Sequence, residues 1–269
     1  MAKLMKGVTS ERQEKWYNEH QKSIDNDIYR PFLRVEDVKS YGVKGKIRSL
    51  DKPHRVVHLL SLNEQLMYFY LANKTSILKC YEQFALPLNE TVAIASELDV
   101  KHPVYSDTRI PIHQTIDFLC YNANEQRVAY AVKESSALEN YRTLEKLAIQ
   151  ESWCRINGVD FHIYESDKLK TERFFNLERL HKHAILDEIY SSLYDIWLIN
   201  FIGILSDDRH DRLAHIIEKS ATVSGIEYAR AVHFVYHSFW VKKLLYDECK
   251  PLLLDEAASD LGIFPNDKY

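Results

Sequence analysis

At 269 residues, with 46% hydrophobic and 28% charged positions, the chain is long enough to bury a sizeable core, and two modest domains are the expected arrangement. The four cysteines (Cys80, Cys120, Cys154, Cys249) form no CxxC pair, no run of ~18 apolar residues offers a membrane span, and MAKLMKGVTSERQEKW lacks the apolar centre of a signal peptide. These features argue against a cysteine zinc site, a disulfide framework, a membrane protein and a secreted one. They point to the cytoplasm, while the net charge of −4 does not advertise nucleic-acid binding and still permits a local basic face.

Residues 1 to about 27 are polar, with SERQEKWYNEH a short, partly packed helix that shows no chemistry. From Asp27 to Leu60, Pro31, Gly42, Gly45 and Pro53 break any helix and predict an extended lead-in. Within it Lys39, Lys44, Lys46, Arg48, Lys52 and Arg55 outnumber the single acid Asp51. Such a stretch either displaces counterions from DNA or is a solvated loop, and the loop is the preferred reading because basic runs are common on surfaces. Ser61-Leu62-Asn63-Glu64 then opens a helix, LNEQLMYFYLAN, with Leu62, Leu66, Phe69 and Tyr70 at helical spacing. Glu64 has two readings. S-x-x-E is a capping box, which would spend the carboxylate on the helix terminus; alternatively the carboxylate points from the helix toward another acid and shares a metal with it.

Thr75 to Leu88 is apolar and reads as a strand or irregular cover, and His102, held extended by Pro103, reads as a hydrogen-bonded structural histidine. The stretch from Gln114 to Leu138 organises the rest. Ile116 to Tyr121 and Val128 to Val132 are β-prone, and Asn122-Ala123-Asn124-Glu125-Gln126 between them is a polar turn, so a hairpin is expected. Pairing brings Asp117 and Lys133 to one end of the sheet, where ionised groups are costly unless paired or holding a metal. Ser135 to Asn157 predicts one amphipathic helix with Leu138, Tyr141, Leu144, Leu147, Ala148 and Trp153 toward the core and Gly158 ending it, followed by the strand VDFHIY.

A helix bearing an acid, a hairpin bearing an acid and a lysine, then a helix and a strand, is the order of a restriction-endonuclease-like core: an α/β fold with a mixed sheet flanked by helices. Phosphodiester hydrolysis calls for hard-oxygen ligands to Mg²⁺ and a lysine near the attacking water. The residues also resemble a family, TnsA, the transposon-end endonucleases. HLLS at 58–61 followed by Glu64, EQF at 82–84, KHPV at 101–104, DFL at 117–119, Val132-Lys133 and RTLEKL at 142–147 carry the resemblance by their order and spacing. It implies a Mg²⁺-dependent endonuclease using two ions, with Mn²⁺ as a substitute, that hydrolyses the 5′ strand at each transposon end. It implies as partners DNA, a TnsB-type transposase and a TnsC-type ATPase. On this chain the family's catalytic residues fall on Glu64, Asp117 and Lys133, and its metal ligands on Glu64, Asp117 and the carbonyl of Val132. One departure stands out: the motif expects Glu or Gln two residues before the lysine, and this chain has Ala131. That motivates the alternative of a non-cleaving assembly subunit that keeps the nuclease fold.

The expected division is 1–168 for the endonuclease domain and 169–269 for a mostly helical, winged-helix-like domain, its wing in FWVKKLLY. His181, His183, His210, His215, His233 and His237 invite a metal reading, but without a third ligand at fitting spacing, packing on helix surfaces is preferred. Tyr190, Tyr194 and Trp197 read as core.

Overall fold

The computed structural model describes residues 6–38, 43–51 and 55–268, and the chain divides into two compact units, residues 1–169 and 170–269. The basic stretch between Lys39 and Arg55 is only partly within these bounds, since Lys39 and Lys52 lie outside the described residues.

In the first unit, α1 (Ser10–Asp25) begins where the Thr9 side chain accepts from the Arg12 amide. It is longer and better anchored than its polar sequence suggests. His20 is buried, its Nε2 accepting from the Ala85 amide and its Nδ1 therefore donating to the Arg30 carbonyl. The predicted extended lead-in contains a small hairpin of β1 (Gly45–Arg48) and β2 (Val56–Leu59). It leads into α2 (Leu62–Ala72), capped by Ser61.

The central sheet has four strands in the order β3 (Ile77–Ala85), β4 (Thr115–Asn122), β5 (Arg127–Lys133) and β6 (Asp160–Glu165). The first three are antiparallel and β6 runs parallel to β5, so the sheet is mixed. Asn122 Oδ1 accepts the amides of Asn124 and Gln126 and Glu125 takes a left-handed φ of 58°, which closes the β4–β5 turn. α3 (Leu88–Glu97) and α4 (Tyr141–Ile156) pack together, and Ile94, Ile149 and Trp153 join Leu119 and Ala129 of the sheet in one core.

Two expectations change here. Sequence reading placed no helix at 88–97, and it ran the later helix from Ser135. A 3₁₀ turn occupies Ser135–Glu139, and α4 starts only after Asn140, whose side chain accepts from the Thr143 amide. Tyr141 (73% exposed) and Leu144 (44%) consequently face solvent instead of the core.

The second unit is helical: α5 (Glu172–His181), α6 (Ser191–Asp207), α7 (Leu213–Ser224) and α8 (Tyr228–Trp240). The FWVKKLLY run is not a wing strand. α8 continues through Trp240, and only Leu244–Leu245 (β7) pairs, with Phe264–Pro265 (β8). Residues Glu188–Asp207 form a helix long and apolar enough to cross a membrane by length and composition, which corrects the expectation that no such segment exists. Tyr194 and Trp197 are core residues, as expected, with Tyr194 bonded to Ser238 and Trp197 to Ser220, and Phe201 joins them; Tyr190 is only half-buried, with the Arg230 guanidinium over its ring.

Candidate active site

β4 and β5 pair as far as Phe118–Tyr130. Past that pair the Asp117 carboxylate replaces a backbone acceptor: its Oδ2 takes the Val132 amide at 2.8 Å and the Lys133 ammonium at 2.7 Å. Lys133 Nζ also donates to the Val132 carbonyl at 3.1 Å. The strand ends thus bring together the acid, the lysine and the carbonyl that sequence reasoning singled out. Burial pulls the Lys133 pKa down, but Asp117 beside it and Glu64 further off outweigh this and hold it above the ordinary lysine value.

Glu64 is spent on the helix terminus, as the capping reading expects, and also lies within the electrostatic reach of Asp117. Ser61 Oγ accepts the Glu64 amide at 3.1 Å and donates to Glu64 Oε1 at 3.2 Å, while the Leu60 amide donates to Oε2 at 2.9 Å. The carboxylate therefore caps α2, through the amide of Leu60 and not that of Ser61. It is also buried and feels the Asp117 charge. Desolvation first and Asp117 second push its pKa to about 7, against the opposing pull of the Leu60 amide and Lys133.

Sequence reasoning missed Gln83 as a site residue, although it sits in the EQF triplet. Gln83 is buried with φ 50°, a left-handed conformation that a residue with a Cβ adopts only under constraint. Its Nε2 donates to Glu64 Oε2 at 3.3 Å and its Oε1 accepts from Thr115 Oγ1 at 2.9 Å, tying the α2 acid to the start of the Asp117 strand. The positive φ is invisible in sequence. Gln150 of α4 is a second such residue: its Nε2 holds the Thr115 carbonyl at 2.9 Å while its buried Oε1 has no hydrogen-bond partner.

Position 131, where the departure lies, is 1% exposed and pairs with Ile163 of β6. Strand alternation puts it on the same face as Ala129 and Lys133. Among the described residues no three His, Cys, Asp or Glu side chains converge as a metal-binding group. The donor set is instead two carboxylates and a backbone carbonyl, all hard oxygens. Two like-charged carboxylates held close enough to raise a pKa form an environment that a divalent cation would relieve, so the residues fit Mg²⁺.

Within the basic stretch between Lys39 and Arg55, three of the described cations have partners in this chain. Arg55 is buried and pairs with buried Glu82 at 2.6 Å, Lys46 pairs with Glu36 at 2.8 Å, and Lys44 donates to the carbonyls of Val35 and Val38. His102 is structural, bonded to the Pro103 carbonyl and to Thr91. In the helical unit His183 and His233 share a hydrogen bond at 2.9 Å and His237 bonds the His183 carbonyl, so these histidines satisfy one another and the backbone.

Residues 74–166 match the family model of the TnsA-like endonuclease N-terminal domain, a span that includes Asp117 and Lys133 and begins after Glu64. The chain is also 29% identical over 210 residues to the Transposon Tn7 transposition protein TnsA of Escherichia coli, covering 77% of this chain and 71% of that protein. With a mixed sheet flanked by helices presenting an acid and a lysine at its strand ends, and a helical unit following it in the sequence, the chain is TnsA-like.

Proposed function

We propose that the chain is a Mg²⁺-dependent endonuclease subunit that hydrolyses a phosphodiester of the 5′ strand at transposon ends, in the cytoplasm and alongside a TnsB-type transposase and a TnsC-type ATPase. The observation that carries this is the contact of Lys133 with Asp117 at the strand ends, with Glu64 close enough to be titrated by both.

Glu64, Asp117 and the Val132 carbonyl would hold the ion, with waters completing its shell as Mg²⁺ accepts readily. When bound, Mg²⁺ supplies positive charge at the phosphate being hydrolysed. The protein's own groups do the remainder. Lys133 stays protonated at neutral pH, so its ammonium donates to a phosphate oxygen or orients the attacking water instead of removing a proton from it. Glu64, with a pKa near 7, can carry a proton at physiological pH and release it when positive charge arrives. Gln83 fixes the direction in which that carboxylate points.

Ala131 supports the second reading, a nuclease fold retained for assembly without cleavage. One experiment separates the two: incubate the full chain, with and without the partner proteins, with a transposon-end duplex across a Mg²⁺ titration, with Mn²⁺ in parallel. Nicking that requires the divalent ion and disappears in Lys133→Ala supports the enzyme. Binding without nicking under every condition leaves the assembly role.

A further inference from the structure

In the basic lead-in Arg55, Lys46 and Lys44 have partners in this chain, and a different basic surface lies where the sequence showed no chemistry. Along α1, Arg12, Lys15, Glu19 and Lys22 recur on one face. That face and the segment 28–34 border a cleft of about 650 Å³ whose lining carries the cations Arg12, Lys15, Lys22, Arg30 and Arg34 against the single carboxylate of Glu19.

The cleft is a built feature. Arg30 is pinned at both backbone ends: its amide donates to Ser23 Oγ at 3.0 Å and its carbonyl accepts from His20, while Tyr29 stacks on Tyr81 with ring centroids 4.1 Å apart. The Arg30 side chain itself is exposed, as are Lys15 and Lys22, and among the described residues none of the three forms an ion pair. Trp16 lines the same cleft with the Arg12 guanidinium 5.0 Å above its ring, and it is the one tryptophan of four that is not buried. A second cleft of about 610 Å³ shares Ile28, Arg30, Pro31 and Arg34 with the first and continues to Val56 and His58 of β2, the strand that leads into Glu64. The wall also reaches the candidate site directly. Phe32 donates its amide to the Gln83 carbonyl at 3.1 Å, and Gln83 holds Glu64.

We propose that the cleft between α1 and residues 28–34 seats the phosphodiester backbone of the DNA duplex beside the bond to be cut, with Lys15, Lys22 and Arg30 on phosphates and Trp16 against a sugar or base edge. Clustered cations neutralise phosphates and release counterions, and an aromatic face adds a contact that any sequence satisfies. The proposal rests on the endonuclease reading for its substrate and adds where that substrate lies.

The test is fluorescence anisotropy of the full chain with a labelled transposon-end duplex in EDTA across a KCl series, so that binding is read without cleavage. In Lys15→Gln/Lys22→Gln/Arg30→Gln the slope of log affinity against log salt falls by about 2–3, one contact accounting for about 0.9. Lys15→Gln alone lowers it by about 1, whereas Glu11→Gln/Glu14→Gln, on the neighbouring face of α1, leaves it no smaller. Bound duplex also protects Trp16 fluorescence from iodide. An unchanged slope in the triple variant with Trp16 still quenched, or no binding by the wild-type chain, overturns the cleft. Binding with these properties but no Mg²⁺-dependent nicking would overturn the endonuclease reading and leave the cleft standing. Nicking by a triple variant with an unchanged slope would do the reverse.

Discussion

Asp117 is the hinge of the candidate site because one of its oxygens satisfies both a strand amide and the lysine. Asp117→Ala should lower nicking by about 1,000-fold or more, about 4 kcal/mol in the barrier, with the melting transition retained; full-rate cleavage by the purified variant would remove Asp117 from the mechanism. Glu64 makes a signed pH prediction. Its pKa in the folded chain, about 7, lies above the ordinary 4.5, so the folded state binds this proton more tightly than the unfolded state does. Stability from this group is present below pH 4.5 and is lost as pH rises from there through 7, by an amount on the order of 3 kcal/mol without divalent ion. Urea unfolding of the metal-free chain across that window should show the decline, and Glu64→Gln should flatten it; an equal decline in the variant would assign the effect elsewhere. Ala131→Glu tests the vacated motif position. Because residue 131 is buried on the Lys133 face, a glutamate there should destabilise the metal-free chain by about 1–3 kcal/mol of overpacking and lower the Mg²⁺ needed for half-maximal nicking. Unaltered metal dependence would show that the new carboxylate does not reach the site.

Elements were legible in proportion to how locally they are determined. The β4–β5 hairpin could be read because β-prone runs flank a turn whose Asn122 closes it by its own side chain. The α2 cap was readable as a motif, but whether its carboxylate also senses Asp117 depends on how α2 lies on the sheet, which no local pattern encodes. Tyr141 and Leu144 had the spacing of core residues, yet a 3₁₀ turn and a new cap at Asn140 reset the helix, and periodicity alone does not see such a break. FWVKKLLY is β-prone by composition, but burial of Phe239 and Trp240 keeps it helical to Trp240. The basic lead-in was open to two readings for the same reason: charge count does not reveal that Arg55 is committed to Glu82. That pair joins β2 to β3, since the Glu82 carboxylate also accepts the His58 amide at 3.0 Å. Arg55→Leu leaves Glu82 buried and unpaired and should cost about 3–5 kcal/mol in urea unfolding, with Arg55→Leu/Glu82→Leu recovering much of it. If the double variant is no better than the single one, the pair is not what positions β2.

At the scale of the whole molecule, Glu64 and the buried histidines of the helical unit respond to acid with opposite sign. Burial drives His181 and His183 of the helical unit down to about 4. Their folded pKa lies below the ordinary 6.5, so stability from them is present above pH 6.5 and is lost as pH falls toward 4. Across much of that interval Glu64 contributes stability to the metal-free nuclease unit as pH falls, opposed there by His58 and His102, whose pKa values burial lowers. Hydrogen exchange followed by mass spectrometry, corrected for intrinsic rates, should show peptides from 170–269 losing protection between pH 7 and 5, while those around α2 and β4 keep more protection in the wild-type chain than in Glu64→Gln; identical profiles in the two chains would refute the assignment. A last consequence belongs to the chain as an evolving sequence. Gly45 in β1 looks replaceable, being neither fully buried nor in a left-handed conformation, but a Cβ there would lie 2.8 Å from the side-chain amide carbon of Gln65, the residue after Glu64. A mutational library should therefore find alanine admitted at position 45 to the extent that the Gln65 amide can swing aside, so that the tolerance of this hairpin is set by the freedom of a side chain twenty residues away.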